Sequence, residues 1–188
     1  MAASRPQAIH FTGDPEADAL LAHEPLALLI GFALDQQVTV QTAFAGPLKL
    51  KQRLGTLDAA EIAALPAARV EEACREKPAV HRFPGNMARR VHELCGVVAS
   101  DFGNRAETVW TEATSAEELE RRIRSLPGFG DMKVVALASV LAKRLGVATA
   151  GPLVPAHPTL GDVDSPEALA AYQAQKRAHK AALRARTG

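Results

Sequence analysis

The sequence predicts an all-α fold. Alanine is frequent and aromatic residues make up only 4% of the 188 residues, a composition that favours helices packed through aliphatic side chains. Helix-start signals recur along the chain, and no pair of alternating segments indicates a β-hairpin. A chain of this length can bury one core, or the cores of two small lobes, without disulfide or metal crosslinks.

Four helices are predicted in the first third of the chain. Asp14 followed by Pro15 is an N-cap with proline at the first helical position. The apolar residues of the next helix cover almost every side, which is typical of a helix buried in the middle of a domain. Predicted helices begin after Asp14, cover residues 26–36 and 38–53, the latter bent at residues 46–47, and begin again at the capping-box pattern of Asp58.

The rest of the chain continues the helical pattern and is interrupted by one loop. Ser115 opens another capping-box pattern. Three prolines and a glycine in residues 148–158 predict a loop, and residues 164–166 then cap a last helix. Predicted helices cover residues 69–76, 86–100, 106–112, 117–125, 131–145 and 166–184.

Charge is distributed unevenly along a chain whose formal net charge is +1. Residues 1–74 carry 5 basic and 9 acidic side chains, whereas residues 75–188 carry 17 basic and 12 acidic ones. A polyanion is therefore expected to meet the C-terminal part of the chain.

Two cysteines, Cys74 and Cys95, are too few for a four-cysteine zinc site or an iron–sulfur cluster. We expect both to be buried thiols, and we expect the protein to need no cofactor and no metal. The N-terminus has no signal-peptide pattern, and the longest apolar stretch, residues 26–34, is too short to cross a bilayer. The sequence thus predicts a cytoplasmic protein, a monomer with no membrane partner.

The most informative string is S-L-P-G-F-G-D-M-K, residues 125–133. An arginine-rich helix runs into it, and a second helix with Asp131 as its expected cap follows. Gly128 and Gly130 allow a tight turn that brings consecutive backbone N–H groups to the surface beside a helix N-terminus. Such a turn binds phosphate without reading bases, because its donors are backbone groups.

This string closely resembles the hairpin of the helix-hairpin-helix (HhH-GPD) DNA glycosylases, which include endonuclease III, the adenine glycosylases and the alkylbase glycosylases. The resemblance covers residues 24–145, and 162–182 more loosely, and is close to a small bacterial family of uncharacterised glycosylase-like proteins. It implies a two-lobed all-α fold, with one lobe over residues 24–134 and a second built from 1–23 and 135–188. It also implies damaged double-stranded DNA as the partner, held at the hairpin by Leu126, Pro127, Gly128, Phe129, Gly130 and Lys133.

A second match lies in the D-Q-Q-V run of residues 35–38, after the apolar second helix. In the family that it resembles, a residue of this turn wedges into the duplex where the target nucleotide is extruded. By position Gln37 is the first candidate for the wedge and Gln36 the second. Without the resemblance, the same residues would describe a polar helix end with two solvated glutamines.

Basic residues supply further candidate DNA contacts. The string H-R-F-P-G-N-M-A-R-R, residues 81–90, places Arg89 and Arg90 after a proline-glycine turn. These two arginines either contact phosphate or form an exposed helix face. The same alternatives, phosphate contact or complementing the helix dipole, hold for five cations of the last helix, namely Lys176, Arg177, Lys180, Arg184 and Arg186.

In this chain, no lysine occupies the position of the family's catalytic lysine. Members that cut the DNA strand place a lysine nucleophile two residues after the second hairpin glycine, where this chain has Met132. Lys133 follows one residue later, turned by about 100° around the helix. This arrangement suits a purely hydrolytic enzyme, with Lys133 as the less favoured catalytic candidate.

The family's aspartate, which stabilises the oxocarbenium-like sugar and activates water, is also displaced. Judged by the motif's spacing it is expected about eighteen to twenty residues after the lysine slot, where residues 150–152 are Ala-Gly-Pro. The next carboxylates are Asp162 and Asp164, and the V-D-S string at 163–165 resembles the family's aspartate at a helix start. Asp164 can equally be an N-cap, and His157 is a third polar candidate in the loop.

Three functions remain open on the sequence alone. The first is a DNA N-glycosylase that extrudes a damaged base, possibly an alkylated one, and hydrolyses its glycosidic bond. The second is a non-catalytic module that recognises distorted DNA and has lost the aspartate, which the absence of a carboxylate at 150–152 favours. The third, a helical scaffold that binds only protein, would leave the L-P-G-F-G string without a purpose.

Overall fold

The structure, a computed structural model, describes residues 6–187. Within this range it contains ten α-helices, two short 3₁₀ helices and no strand, which confirms the all-α prediction. The α-helices are α1 (Pro15–His23), α2 (Pro25–Leu34), α3 (Val40–Leu54), α4 (Ala59–Ala64), α5 (Ala67–Arg75), α6 (Pro84–Asp101), α7 (Thr108–Thr111), α8 (Ala116–Arg124), α9 (Asp131–Lys143) and α10 (Pro166–Thr187). The 3₁₀ helices cover Ala148–Leu153 and Leu160–Asp162.

Side-chain caps fix several helix starts where the sequence predicts them. The Asp14 carboxylate accepts the N–H of Glu16 at 2.9 Å, ahead of α1. The Asp58 carboxylate accepts the N–H of Glu61 at 2.9 Å, ahead of α4, and Ser115 caps α8 in the same way. These bonds satisfy N–H groups that have no partner inside the helix.

Several predicted boundaries are wrong. Helix α2 ends at Leu34 and α3 begins at Val40, because the intervening residues form a turn in which Gln37 has a φ of +57°. Helix α3 continues through Pro47 to Leu54. The predicted loop 148–158 contains the first 3₁₀ helix.

Asp131 is wrong as the predicted cap of α9, and the cap predicted within residues 164–166 is Ser165 rather than Asp164. The N-cap of α9 is Gly130, and Asp131 is the first helical residue. The cap of α10 is Ser165, whose hydroxyl accepts the N–H of Ala168 at 3.1 Å. Asp164 precedes this cap and is exposed.

Helix α2 lies at the centre of the core. All its residues from Leu26 to Leu34 are buried, and α1, α3 and α6 pack around it. Gly31 lets α3 approach closely, since a Cβ there would lie 2.3 Å from the Phe44 ring. The Phe44 ring in turn packs edge-on against Phe32 at 5.0 Å and against Phe11 at 4.8 Å. The turn that follows α2 therefore starts from a rigid, buried helix.

The chain after α9 folds back onto that helix. The second 3₁₀ helix packs so closely that a Cβ on Gly161 would lie 2.4 Å from the Ser139 carbonyl oxygen. Helix α10 then crosses the start of α3, where Gln41 and Gln173 exchange two amide hydrogen bonds of 3.1 and 2.7 Å. The division into lobes at 24–134 and 1–23 plus 135–188 stays a prediction.

No single helix within residues 6–187 has both the length and the apolar character that a membrane span needs. Helices α1 and α2 reach that length only together, and the chain bends by 113° between them.

The two buried thiols predict a loss of stability at high pH. Burial raises the pKa of Cys74 to about 11 and that of Cys95 to about 12, from an ordinary value of 9.0. Above pH 9 both thiols ionise in the unfolded chain and stay protonated in the fold, so the unfolded state binds fewer protons. The free energy of unfolding should therefore fall as the pH rises from 9 towards 11.

Urea denaturation at pH 8, 9, 10 and 11 measures this dependence. A variant with both Cys74→Ala and Cys95→Ala starts from a lower stability because it loses core packing, but its stability should decline less steeply above pH 9. An equally steep decline in both proteins would show that the thiols are not responsible.

Candidate nucleic-acid interface

The hairpin between α8 and α9 is anchored by its two apolar side chains. Leu126 and Phe129 are buried, and the Phe129 N–H donates to the Leu126 carbonyl at 3.2 Å. Gly128 has a φ of +81°, a left-handed conformation that glycine adopts without strain. The anchored side chains leave the backbone of the hairpin tip, residues 128 and 130, at the surface.

Helix α9 begins at this tip without a side-chain cap. The N–H groups of its first turn have no partner within the helix, and the helix dipole makes this end favourable for an anion. Gly130 has a φ of −88°, and a Cβ added there would meet no described atom within 4 Å. Arg124 pairs with Asp131 across the hairpin, which offsets the one acidic charge of the first turn.

The turn after α2 contains Gln36 and Gln37 and is called the glutamine turn below. His81 fixes it through two hydrogen bonds of its ring. The Phe83 N–H donates to His81 Nδ1 at 3.0 Å, so the hydrogen of the neutral ring is on Nε2. This Nε2–H donates to the Gln36 carbonyl oxygen at 2.8 Å. Gln37 is exposed at the tip of the turn.

Arg90 belongs to one of the three segments that carry the family resemblance and contacts the other two, the glutamine turn and the hairpin. Its Nη1 donates to Gln36 Oε1 at 2.6 Å. Its aliphatic stem lies against the hairpin, since a Cβ on Gly128 would be 2.8 Å from Arg90 Cδ. One α6 side chain therefore links the glutamine turn to the hairpin, and the Gln36 side chain is engaged in this link while Gln37 projects outward.

Lys133 lies beneath the hairpin. Its Nζ donates to the Ala33 carbonyl, at the C-terminal end of α2, at 3.2 Å. Burial, and secondarily the charge of Arg90, lower its pKa to about 8, while Asp35 acts in the opposite direction. Met132, in the lysine slot, is 85% exposed. The one-residue offset thus turns Lys133 inward and Met132 outward.

An open cleft of about 520 Å³ runs beside the glutamine turn. Its wall includes Gln36, Gln37 and Arg90, the partly exposed ring of Phe83, and Arg89. Arg89 is exposed and has no ion-pair partner within residues 6–187. The cleft is also lined by Glu93. Its two arginines lie beside the exposed wedge candidate and can bind the phosphates that flank an extruded nucleotide.

Asp162, one of the two aspartates predicted near the last helix, has a structural role. Asp162 Oδ1 accepts a bond from Lys143 at 2.6 Å, and its Oδ2 accepts the Thr159 N–H at 2.8 Å. Lys143 follows Lys133 by ten residues on α9, about 15 Å along the helix axis. Asp162 thus caps the second 3₁₀ helix at the end of α9 opposite to the hairpin.

Sequence reasoning assigned no role to two residues that organise this site. His81 is 2% exposed, and both ring nitrogens are used to fix the glutamine turn. Asp35 stands directly before Gln36 and is within electrostatic range of Lys133. Both occur in the strings that carried the resemblance, but only the three-dimensional contacts show what they do.

The family comparison agrees with this geometry. The model of the HhH-GPD superfamily base excision DNA repair proteins matches residues 30–171, a range that includes the glutamine turn, Arg90 and the hairpin. No curated protein and no solved structure matches the chain significantly. Because the family model covers most of the chain, this protein belongs to the HhH-GPD superfamily of base excision DNA repair proteins.

Proposed function

We propose that this protein is a DNA N-glycosylase that binds damaged double-stranded DNA and hydrolyses the N-glycosidic bond of an extruded base, an alkylated base being the first candidate. The observation that supports the proposal is that Arg90 contacts both Gln36, next to the exposed Gln37, and Gly128 of the hairpin. The hairpin holds one strand through backbone groups, and Gln37 fills the space that the extruded nucleotide leaves. The enzyme works as a monomer in the cytoplasm.

Binding on this surface is sensitive to salt and largely independent of sequence. The hairpin and the cations of the cleft neutralise about three to five phosphates, so the log–log dependence of affinity on salt is shallow.

Release of bases from duplex DNA treated with a methylating agent tests the enzymatic part of the proposal. We expect free methylated bases and abasic sites, both dependent on the protein. Tight binding of abasic duplex without release of any base would instead support the non-catalytic module, which the structural use of Asp162 favours.

Strand cleavage through a lysine adduct is not expected. Borohydride should trap no covalent complex on DNA with an abasic site, because the Lys133 amine is turned to the Ala33 carbonyl and Met132 occupies the exposed slot. Met132→Lys places an amine in that slot and should produce a trapped adduct. An adduct of the unaltered protein that disappears in Lys133→Ala would contradict the assigned register.

A further inference from the structure

Asp35 lies where three helices meet. It follows the last residue of α2 and directly precedes Gln36. Lys133, at the start of α9, donates to the Ala33 carbonyl two residues before it. Tyr172 and Lys176 of α10 are close enough for electrostatic interaction with its carboxylate, and the Gln41–Gln173 bonds fix α10 there.

The environment of this carboxylate is unusual for a structural aspartate. Within residues 6–187 its side chain has no hydrogen bond and no ion pair at contact distance. Burial raises its pKa, while the charges of Lys176 and Lys133 act in the opposite direction. A largely buried carboxylate without a bonded partner costs folding free energy, and such groups are concentrated at functional sites.

The other carboxylates of the C-terminal region have different surroundings. Asp162 also lies within electrostatic range of Tyr172, but its two oxygens are held by Thr159 and Lys143. Asp164 is exposed before the start of α10, eight residues or about 12 Å along the helix from Tyr172. Asp35, in contrast, adjoins the turn that carries Gln37 and is within electrostatic range of Lys133 in the first turn of α9.

We propose that Asp35 is the catalytic carboxylate of this protein, acting on the C1′ carbon of the extruded nucleotide. This inference rests on the proposed glycosylase function. It places the carboxylate at the end of α2, ahead of the hairpin in sequence, whereas the spacing of the motif places it after the hairpin.

The reaction balances with water as the only co-reactant. The C1′–N bond breaks and its electron pair leaves with the base, so that a cationic alkylated base departs neutral. The positive charge left on the sugar faces the Asp35 carboxylate. Water adds its oxygen to C1′, and its proton passes to Asp35 and then to solvent. The charges of Lys133 and Lys176 favour the ionised form of this carboxylate and oppose the effect of its burial.

Two duplexes with an ordinary phosphodiester backbone and a modified target sugar test this charge stabilisation without requiring turnover. In the first, a pyrrolidine ring replaces the target sugar and carries the positive charge of the transition state. In the second, a tetrahydrofuran ring has the same shape and no charge. The full-length protein should bind the pyrrolidine duplex about tenfold or more tightly than the tetrahydrofuran duplex, as expected for a transition-state mimic.

Asp35→Asn should remove this preference and leave the affinity for the tetrahydrofuran duplex unchanged, while Asp164→Asn and Asp162→Asn keep it. A preference retained in Asp35→Asn, lost in Asp164→Asn, or missing from the unaltered protein would overturn the assignment. Thermal unfolding of each variant verifies the fold, and Asp35→Asn is expected to fold because it removes a buried charge and keeps the side-chain shape.

Base release then separates this inference from the proposed function. Asp35→Asn should lower the rate of release from methylated DNA about a thousandfold. Release at the full rate in Asp35→Asn would refute the role of Asp35 and leave the glycosylase intact. A pyrrolidine preference that depends on Asp35, without release of methylated bases, would support Asp35 and refute the alkylated substrate.

Discussion

Replacing Gly128 and Gly130 together with threonine is expected to lower duplex affinity about a hundredfold or more, a loss of about 2.7 kcal/mol. The Gly128 side chain would meet Arg90, and a residue other than glycine is strained at its φ of +81°. The Gly130 side chain would project from the tip into the space where a phosphate approaches. Fluorescence anisotropy with a labelled duplex at several salt concentrations measures the loss.

The single variant Gly130→Thr separates binding from folding. Its backbone conformation suits any residue, and its added Cβ meets no described atom within 4 Å. Threonine and glycine are comparable N-caps, so the melting temperature should stay unchanged while duplex affinity falls about tenfold, or about 1.4 kcal/mol. Unchanged affinity in both the single and the double variant would refute the hairpin as a phosphate site.

Arg90→Ala is expected to weaken duplex binding about tenfold to a hundredfold. The substitution removes a charge-assisted hydrogen bond to Gln36, which contributes about 1.5–3 kcal/mol, and uncovers Gly128. Arg90→Lys keeps the charge but loses the planar guanidinium that reaches Gln36. If Arg90 positions the glutamine turn, Arg90→Lys should bind the duplex more tightly than Arg90→Ala but more weakly than the unaltered protein.

Arg105→Ala is the matched control for the loss of a positive charge. Arg105 is exposed, pairs with Glu112 and does not line the cleft. Its removal should change affinity less than twofold. Equal losses in Arg90→Ala and Arg105→Ala would mean that Arg90 acts only through net charge.

Local sequence rules predicted the helices well where the signal was itself local. Asp14, Asp58 and Ser115 cap helices as predicted because a capping side chain bonds to a backbone group two or three residues away. The end of α2 was predicted two residues too late, because Asp35 and Gln36 fit the surface of a helix as well as they fit a turn. Besides local backbone bonds, the turn is held by bonds from His81 and Arg90, which are 45 and 54 residues away from Gln36.

The candidate site was predictable as far as motifs extend. The hairpin, the two glutamines and Arg90 were found from their strings, and the structure brings them together. The proposed catalytic carboxylate, Asp35, was not found in this way, because the spacing of the family motif points to a position after the hairpin, near α10. Asp35 stands before the hairpin in sequence, and only the approach of α9 and α10 to the end of α2 reveals its surroundings.

The most direct test of the account compares a duplex containing a tetrahydrofuran abasic site with the intact duplex of the same sequence. We predict that the protein prefers the abasic duplex, because Gln37 can enter a stack from which a base is already missing. Gln37→Ala should lose that preference and retain the salt-dependent binding of intact duplex through the hairpin. Equal affinity of the unaltered protein for both duplexes, or a preference that persists in Gln37→Ala, would contradict the account.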